Sequence, residues 1–184
     1  MADRSANKPK FIIEPLDKKR HNRAAFSCGQ ESLDEYLKQR ANQEIKKQVA
    51  AVYALTPDGK TIAGYYTLSQ YSIEAGELPP ELVQRLRLPK CDRLPASMLG
   101  RLARSKDFEG QGIGELLLMD ALKRALELSK HIASVAVVVD AIDENARQFY
   151  RRYGFIDIPD HRNRLFIPMQ TIAELFPEIT KTIE

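Results

Sequence analysis

The sequence predicts a mixed α/β fold in a single domain, a central sheet flanked by helices, and three observations carry that expectation. Strand and helix patterns follow one another in the order β-α-β-β-α-β-α-β-α-β-β. ASVAVVVDA (133–141) is a continuous apolar, β-branched run, as expected for a strand covered on both faces. Apolar residues over 113–125 recur at helical spacing directly behind a glycine-rich stretch. A length of 184 residues suits one domain, since roughly 150 residues is typical. Residues 1–10 read as a flexible tail, 11–176 as the folded domain and 177–184 as a second tail.

Each element has its own signal. FIIEPL (11–16) reads as a short strand, followed by a basic turn with Lys18, Lys19, Arg20, His21 and Arg23. From Ser32 the pattern turns helical, with Leu33, Tyr36, Leu37 and Arg40 at i, i+3, i+4 and i+7. Ser32 and Glu35 have the spacing of a capping box. VAAVYALT (49–56), PDGK (57–60) and TIAGYYTLSQYSI (61–73) predict a β-hairpin whose Asp-Gly tip supplies positive φ. PPELVQRLRL (79–88) opens with proline suited to a first helical turn. SMLGRLARS (97–105) reads as a strand that runs into FEGQGIGE (108–115). Ile113, Leu116, Leu117, Ala121, Leu122 and Ala125 then mark a helix. ENARQFYRRYGF (144–155) predicts a helix stopped by Gly154, and RNRLFIPM (162–169) a closing strand.

Composition excludes several classes. With 43% hydrophobic and 29% charged residues, a globular chain is expected rather than a disordered one. The longest nearly apolar run, Ile132 to Val139, falls far short of the roughly 20 residues of a membrane span. The first ten residues carry no apolar secretory core, and Cys28 and Cys91 form no CxxC, so a reducing cytoplasm is expected. His21, His131 and His161 lack metal-binding spacing, so no metal is expected. Neither cysteine has a nucleophile signature, and there is no GxSxG. The net charge of +3 hides a net +4 over residues 1–50 and a net +5 over 81–106. Solvated surface explains such blocks unless a site gives them a purpose.

Gly110, Gly112 and Gly114 fall at a strand-to-helix junction. Glycines there admit a ligand close to backbone amides, and a helix N-terminus favours negative charge, so a phosphate-bearing ligand is expected. A plain structural turn explains the glycines equally well. Gly114 is followed by Glu115 rather than by Lys, which excludes a Walker loop, and Leu117 occupies the third glycine position of a dinucleotide fingerprint.

The succession of strand, glycine loop, amphipathic helix, apolar strand and Asn-x-x-x-Phe-Tyr-x-x-Tyr-Gly-Phe resembles the GCN5-related N-acetyltransferase (GNAT) superfamily. CGQESLDEYLKQRANQ (28–43), GYYTLS (64–69), LGRLA (99–103) and NARQFYRRYGF (145–155) resemble its toxin subgroup from bacterial toxin–antitoxin pairs. The resemblance implies the GNAT fold over Phe11 to Met169 and transfer of acetyl from acetyl-CoA to the amino group of aminoacyl-tRNA, which blocks translation. It further implies a ribbon-helix-helix antitoxin as partner, and it admits a homodimer. Cofactor contacts fall on Leu102, Ala103 and Arg104 of the strand, whose backbone pairs with the pantetheine arm. They continue through Glu109, Gly110, Gln111, Gly112, Ile113, Gly114 and Glu115 of the loop, which cradles the pyrophosphate. Tyr150 corresponds to the tyrosine near the coenzyme sulfur and becomes the candidate acid; it also reads as an aromatic packed with Phe149 and Tyr153. Asn145 reads either as a coenzyme contact or as a residue of the first helical turn. Arg147, Arg151 and Arg152 cover a solvated face.

One position departs from the family: the loop there usually reads Arg/Gln-x-x-Gly-x-Gly/Ala, and Glu109 stands at its Arg/Gln position. That carboxylate opposes a pyrophosphate unless it faces solvent or pairs with Lys106 or Arg104. The basic blocks, Lys18 to Arg23 with Lys38, Arg40, Lys46 and Lys47, and Arg85 to Lys106, are candidates for an acceptor-stem surface. Two alternatives stay open: acetylation of a small amine or a protein N-terminus, and a non-catalytic RNA- or protein-binding module with a degenerate loop, which Glu109 favours.

Overall fold

A computed structural model describes residues 10–180. The tail expected over 1–10 lies outside the described residues apart from Lys10, as do the last four residues of the tail expected over 177–184. The strands are β1 (Ile12–Pro15), β2 (Ala51–Thr56), β3 (Gly64–Glu74), β4 (Arg93–Arg104), β5 (Ala136–Asp140), β6 (Ile156–Asp157) and β7 (Arg164–Pro168). The helices are α1 (Glu31–Glu35), α2 (Ala41–Lys46), α3 (Pro80–Arg85), α4 (Ile113–Ser129), α5 (Glu144–Arg152), α6 (Met169–Leu175) and α7 (Pro177–Thr180).

The strands form one seven-stranded sheet in the order β1-β2-β3-β4-β5-β7-β6. It is mixed, as the sequence predicts. β1 pairs antiparallel with β2, and β7 pairs antiparallel with both β5 and β6. β4 and β5 are parallel, in register from Ser97 opposite Val137 to Leu99 opposite Val139. Parallel neighbours need a long crossover, and α4 supplies it. The β-branched run is covered on both faces: Ala136, Val137, Val138 and Val139 are each at most 2% exposed.

Contacts divide the chain into two compact units, one made of residues up to Tyr66 with Leu102–Leu117, the other of Thr67–Arg101 with the residues from Leu118 on. The divisions fall inside β3, β4 and α4, so neither unit is built only from whole elements. The first unit has a core of Phe26, Tyr36, Leu37, Val52, Ala54, Ile62, Tyr65 and Ala103. Its tyrosines satisfy their polar ends as buried phenols must. Tyr65 donates to the Leu33 carbonyl at 2.7 Å, and Tyr36 donates to Glu44 at 2.8 Å. In the second unit Ile73, Leu82, Leu94, Val138, Ile158 and Phe166 pack together.

Three local expectations need correction, and one expected strand gains its residues. Helix α1 begins at Glu31, and its cap Gln30 makes no side-chain bond, so Ser32 and Glu35 form no capping box. Asp34 fastens this end instead, accepting from the Cys28 amide at 2.8 Å and from the Ser27 hydroxyl at 3.3 Å. The helix then widens into a π turn over Tyr36–Arg40, within which Tyr36 and Leu37 are both buried. At the hairpin tip Gly59 has φ +76° and Asp58 does not take positive φ. The strands are separated by residues 57–63, and Asp58 organises the loop by accepting from Lys60 N at 2.8 Å and Thr61 N at 2.7 Å. In α4, Leu116 is 43% exposed while Leu118 is buried. Leu116 stands nine residues, two and a half turns, from Ala125 and so faces the opposite way. Finally, the first strand of the closing pair, which the pattern left without residues, is β6.

Candidate active site

The glycine loop lies wholly in the first unit. Strand β4 delivers Leu102, Ala103 and Arg104 to it, with Ala103 buried in the core. The approach is fastened by backbone bonds: Ser105 N donates to Ala63 O at 2.8 Å and Lys106 N to Ser27 O at 2.9 Å. Ser105, itself 3% exposed, accepts from Asp107 N and caps a short 3-10 turn over Lys106–Phe108. Gly110 and Gly112 have φ +75° and +72°, and an added Cβ at either would meet nothing within 4 Å. Glycine is needed at both for backbone conformation, with open space above it.

The helix takes up its first amide at Leu116, which donates to Gly112 O at 3.1 Å. The amides of Ile113, Gly114 and Glu115 precede that bond and receive no intrahelical acceptor. Gly114 belongs to the helix rather than the loop, and Ile113 is buried beneath it. A 17-residue helix adds its partial positive charge at this end. The loop can therefore hold a phosphate-bearing anion through backbone donors alone. Glu109 is 76% exposed and reaches Arg104 at 3.4 Å, so it both faces solvent and pairs.

Tyr150 and Asn145 lie in the second unit, on α5. Asp143 caps that helix, accepting from Ala146 N at 2.8 Å, and Gly154 with φ +91° ends it. Because Asp143 does the capping, the exposed Asn145 side chain makes no such bond. Tyr150 is 6% exposed and packs against Phe149 and Phe155, with ring centroids 5.4 Å and 5.2 Å away. Burial pushes its phenol well above the ordinary tyrosine value, which keeps the O–H on as a donor. Among the described residues this hydroxyl has no hydrogen-bond partner. Arg147 and Arg151 do more than cover a solvated face, since both bind Asp157, at 2.8 Å and 2.6 Å. Arg152 lies over the Phe149 ring.

The basic blocks meet only in part. Lys18, Arg23 and Lys38 line one cleft of the first unit together with His21 and Asn22. His21 is buried and bonded through both ring nitrogens: Nδ1 accepts from Asp17 N at 3.0 Å, so Nε2 carries the proton donated to Glu14 at 2.9 Å. Arg20 and Arg40 are committed to Glu14 and Glu44. Arg85 and Arg93 belong to the second unit, where Arg93 pairs with Glu74 at 3.0 Å. Burial, with a hydrogen bond to Asp34, pushes the Cys28 thiol up to about 11, which disfavours the thiolate. Among the described residues no group of three or more His, Cys, Asp or Glu could hold a metal ion, and no helix is long and apolar enough to cross a membrane.

Sequence reasoning missed Ser105, Asp143 and Gly64. The first two were readable as short polar side chains two or three residues ahead of the amides they bind. Gly64 left no local signal, because its role is spatial: an added Cβ would lie 2.9 Å from the Ala103 carbonyl.

Known proteins match this architecture. The acetyltransferase (GNAT) domain family matches residues 81–173. A probable toxin, TacT, of Sinorhizobium fredii (strain NBRC 101917 / NGR234) is 36% identical over 90% of this chain and 95% of its own length. A tRNA-acetylating toxin of Mycobacterium tuberculosis (strain ATCC 25618 / H37Rv) is 31% identical over 82% of this chain and 88% of its own. Among solved structures, AtaT complexed with acetyl-methionyl-tRNAfMet has a TM-score of 0.81 at 30% identity, covering 91% of this chain and 99% of that one. An AtaT variant with tyrosine replaced by phenylalanine, bound to acetyl-CoA and the C-terminus of the antitoxin AtaR, scores 0.77 at 26% identity, covering 91% of this chain and 99% of that one. With the family matching residues 81–173 and a relative 36% identical over 90% of the chain, the chain belongs to the GNAT acetyltransferase family.

Proposed function

We propose that this chain is a toxin that transfers acetyl from acetyl-CoA to the amino group of aminoacyl-tRNA and so blocks translation. The observation that carries the reading is the kinship with a tRNA-acetylating toxin over 82% of the chain. The resemblance of the whole fold to AtaT in complex with acetyl-methionyl-tRNAfMet supports it.

The residues present fit acetyl-CoA as co-substrate. The amides from Gln111 to Glu115 take the pyrophosphate, and the backbone of Leu102 to Arg104 takes the pantetheine arm. Asn145, exposed and not used as a cap, supplies a further contact to the pantetheine or phosphate portion of the coenzyme. The neutral α-amine attacks the thioester carbonyl; a C–N bond forms, the C–S bond breaks, and the amine's proton leaves to water. Tyr150 gives its O–H proton to the departing thiolate and recovers one from the water that took the amine's proton. Burial keeps the phenol protonated and available to donate while making it a weaker acid, so its proton moves only as charge builds on the sulfur. Glu109 does not require a non-catalytic reading, because it is exposed and paired.

Lys18, Arg23 and Lys38 supply cations for RNA phosphates. AtaT binds the antitoxin AtaR, and by analogy a cognate antitoxin of the ribbon-helix-helix type neutralises this chain. Action on charged tRNA sets it in the cytoplasm. A reconstituted translation system tests the reading: the protein should arrest synthesis only when acetyl-CoA is supplied, and fresh charged tRNA should restore it. Arrest without acetyl-CoA would reject the proposal.

A further inference from the structure

We propose that the Arg104 side chain binds the coenzyme pyrophosphate, supplying the positive charge that Glu109 removes from the loop, and that Glu109 holds it in place until the coenzyme arrives. This rests on the acetyl-CoA reading above. With Glu109, exposed and paired with Arg104, at the position where related loops carry Arg or Gln, residues 109–115 offer a bound pyrophosphate backbone amides and no side-chain cation.

Arg104 is the group placed to correct that. It closes β4 five residues ahead of Glu109, and its Nη2 approaches Glu109 Oε1 at 3.4 Å. That is long beside the roughly 2.8 Å of a strong charge-assisted bond. Its other terminal nitrogen, Nη1, is buried and has no hydrogen-bond partner among the described residues. A guanidinium has five donors in a fixed fork, so one held by a single long contact with a buried nitrogen unsatisfied is underused. A phosphate with several oxygens, met by a turn of the guanidinium that brings Nη1 out of its buried position, satisfies the fork better than one exposed carboxylate does. Gly110 and Gly112 leave open space over the loop for such an anion. Lys106, the other cation of this approach, lies along Gly29, with Cε 2.7 Å from where a Cβ would stand.

Titration calorimetry of the full chain tests this with acetyl-CoA, its 3′-dephospho form and acetyl-pantetheine, which lacks the pyrophosphate. Arg104→Met should weaken binding of the first two by about tenfold or more, as loss of a charge-assisted phosphate contact does, and leave acetyl-pantetheine unchanged. Glu109→Gln, at an exposed position safe for folding, should tighten both pyrophosphate ligands severalfold. Unchanged acetyl-CoA binding by Arg104→Met, equal losses for acetyl-pantetheine, or weaker binding by Glu109→Gln would each overturn the proposal. If the unaltered protein binds no acetyl-CoA, the functional reading itself fails, a separate and distinguishable result.

Discussion

Replacing Gly64 by alanine tests how the first unit holds its loop. An added Cβ would stand 2.7 Å from Leu117 Cδ1, 2.9 Å from Ile113 Cγ2 and 2.9 Å from the Ala103 carbonyl oxygen. Leu117 can turn aside, but the carbonyl is backbone and Ile113 is fully buried. The backbone at Gly64 is not in the positive-φ region, so the cost is one of space alone. Overpacking of this kind costs about 1–3 kcal/mol. At about 2–4 °C per kcal/mol for a chain of this length, Tm should fall by about 2–12 °C. Ala103 and Ile113 stand on either side of the glycine loop, so acetyl-CoA affinity should fall as well. Differential scanning calorimetry and titration with acetyl-CoA read both effects, with Gly76→Ala, whose Cβ meets nothing within 4 Å, as the control. An unchanged Tm together with an unchanged Kd for Gly64→Ala would refute the packing argument.

Other substitutions probe the second unit. Tyr150→Phe should lower kcat by about 10²-fold or more, as loss of a general acid does, with acetyl-CoA affinity intact; unchanged turnover ends its catalytic assignment. Asp143→Ala removes the cap on Ala146 N and should cost about 1 kcal/mol, measured as a denaturation midpoint shift. The Asp157 carboxyl is raised by partial burial, but hydrogen bonds from Arg151 and Arg147 outweigh that and hold it below its ordinary value. Its contribution to stability is therefore present above about pH 4, the unfolded carboxylate value, and lost as pH falls through the folded one. Asp157→Asn should flatten the decline of stability in that acid range; an unchanged acid limb would show that the arginine pair contributes nothing.

Features set by local chemistry were legible in the chain. The β-branched run at 133–141 announced a strand buried on both faces, because no exposed strand tolerates four such positions in sequence. Gly154 announced the end of α5, because the positive φ that stops a helix favours glycine. What tertiary packing sets was not legible. Helical periodicity placed Tyr36 and Leu37 together on one face, but nothing in it announced the π turn at Tyr36–Arg40 that carries them. Leu116 satisfied a local apolar pattern yet faces outward. In the loop, Glu109 announced a departure from the family, but the orphaned Arg104 nitrogen beside it needed three dimensions to be seen.

In the proposed reaction acetyl leaves coenzyme A for the amine of a charged tRNA. The most direct measurement incubates the protein with labelled acetyl-CoA and equal amounts of charged tRNA, uncharged tRNA and free small amines, then locates the label by mass spectrometry. Label on the α-amino group of the esterified amino acid, and nowhere else, is the predicted result. Label on free amines alone, or on nothing while coenzyme binding persists, would contradict it.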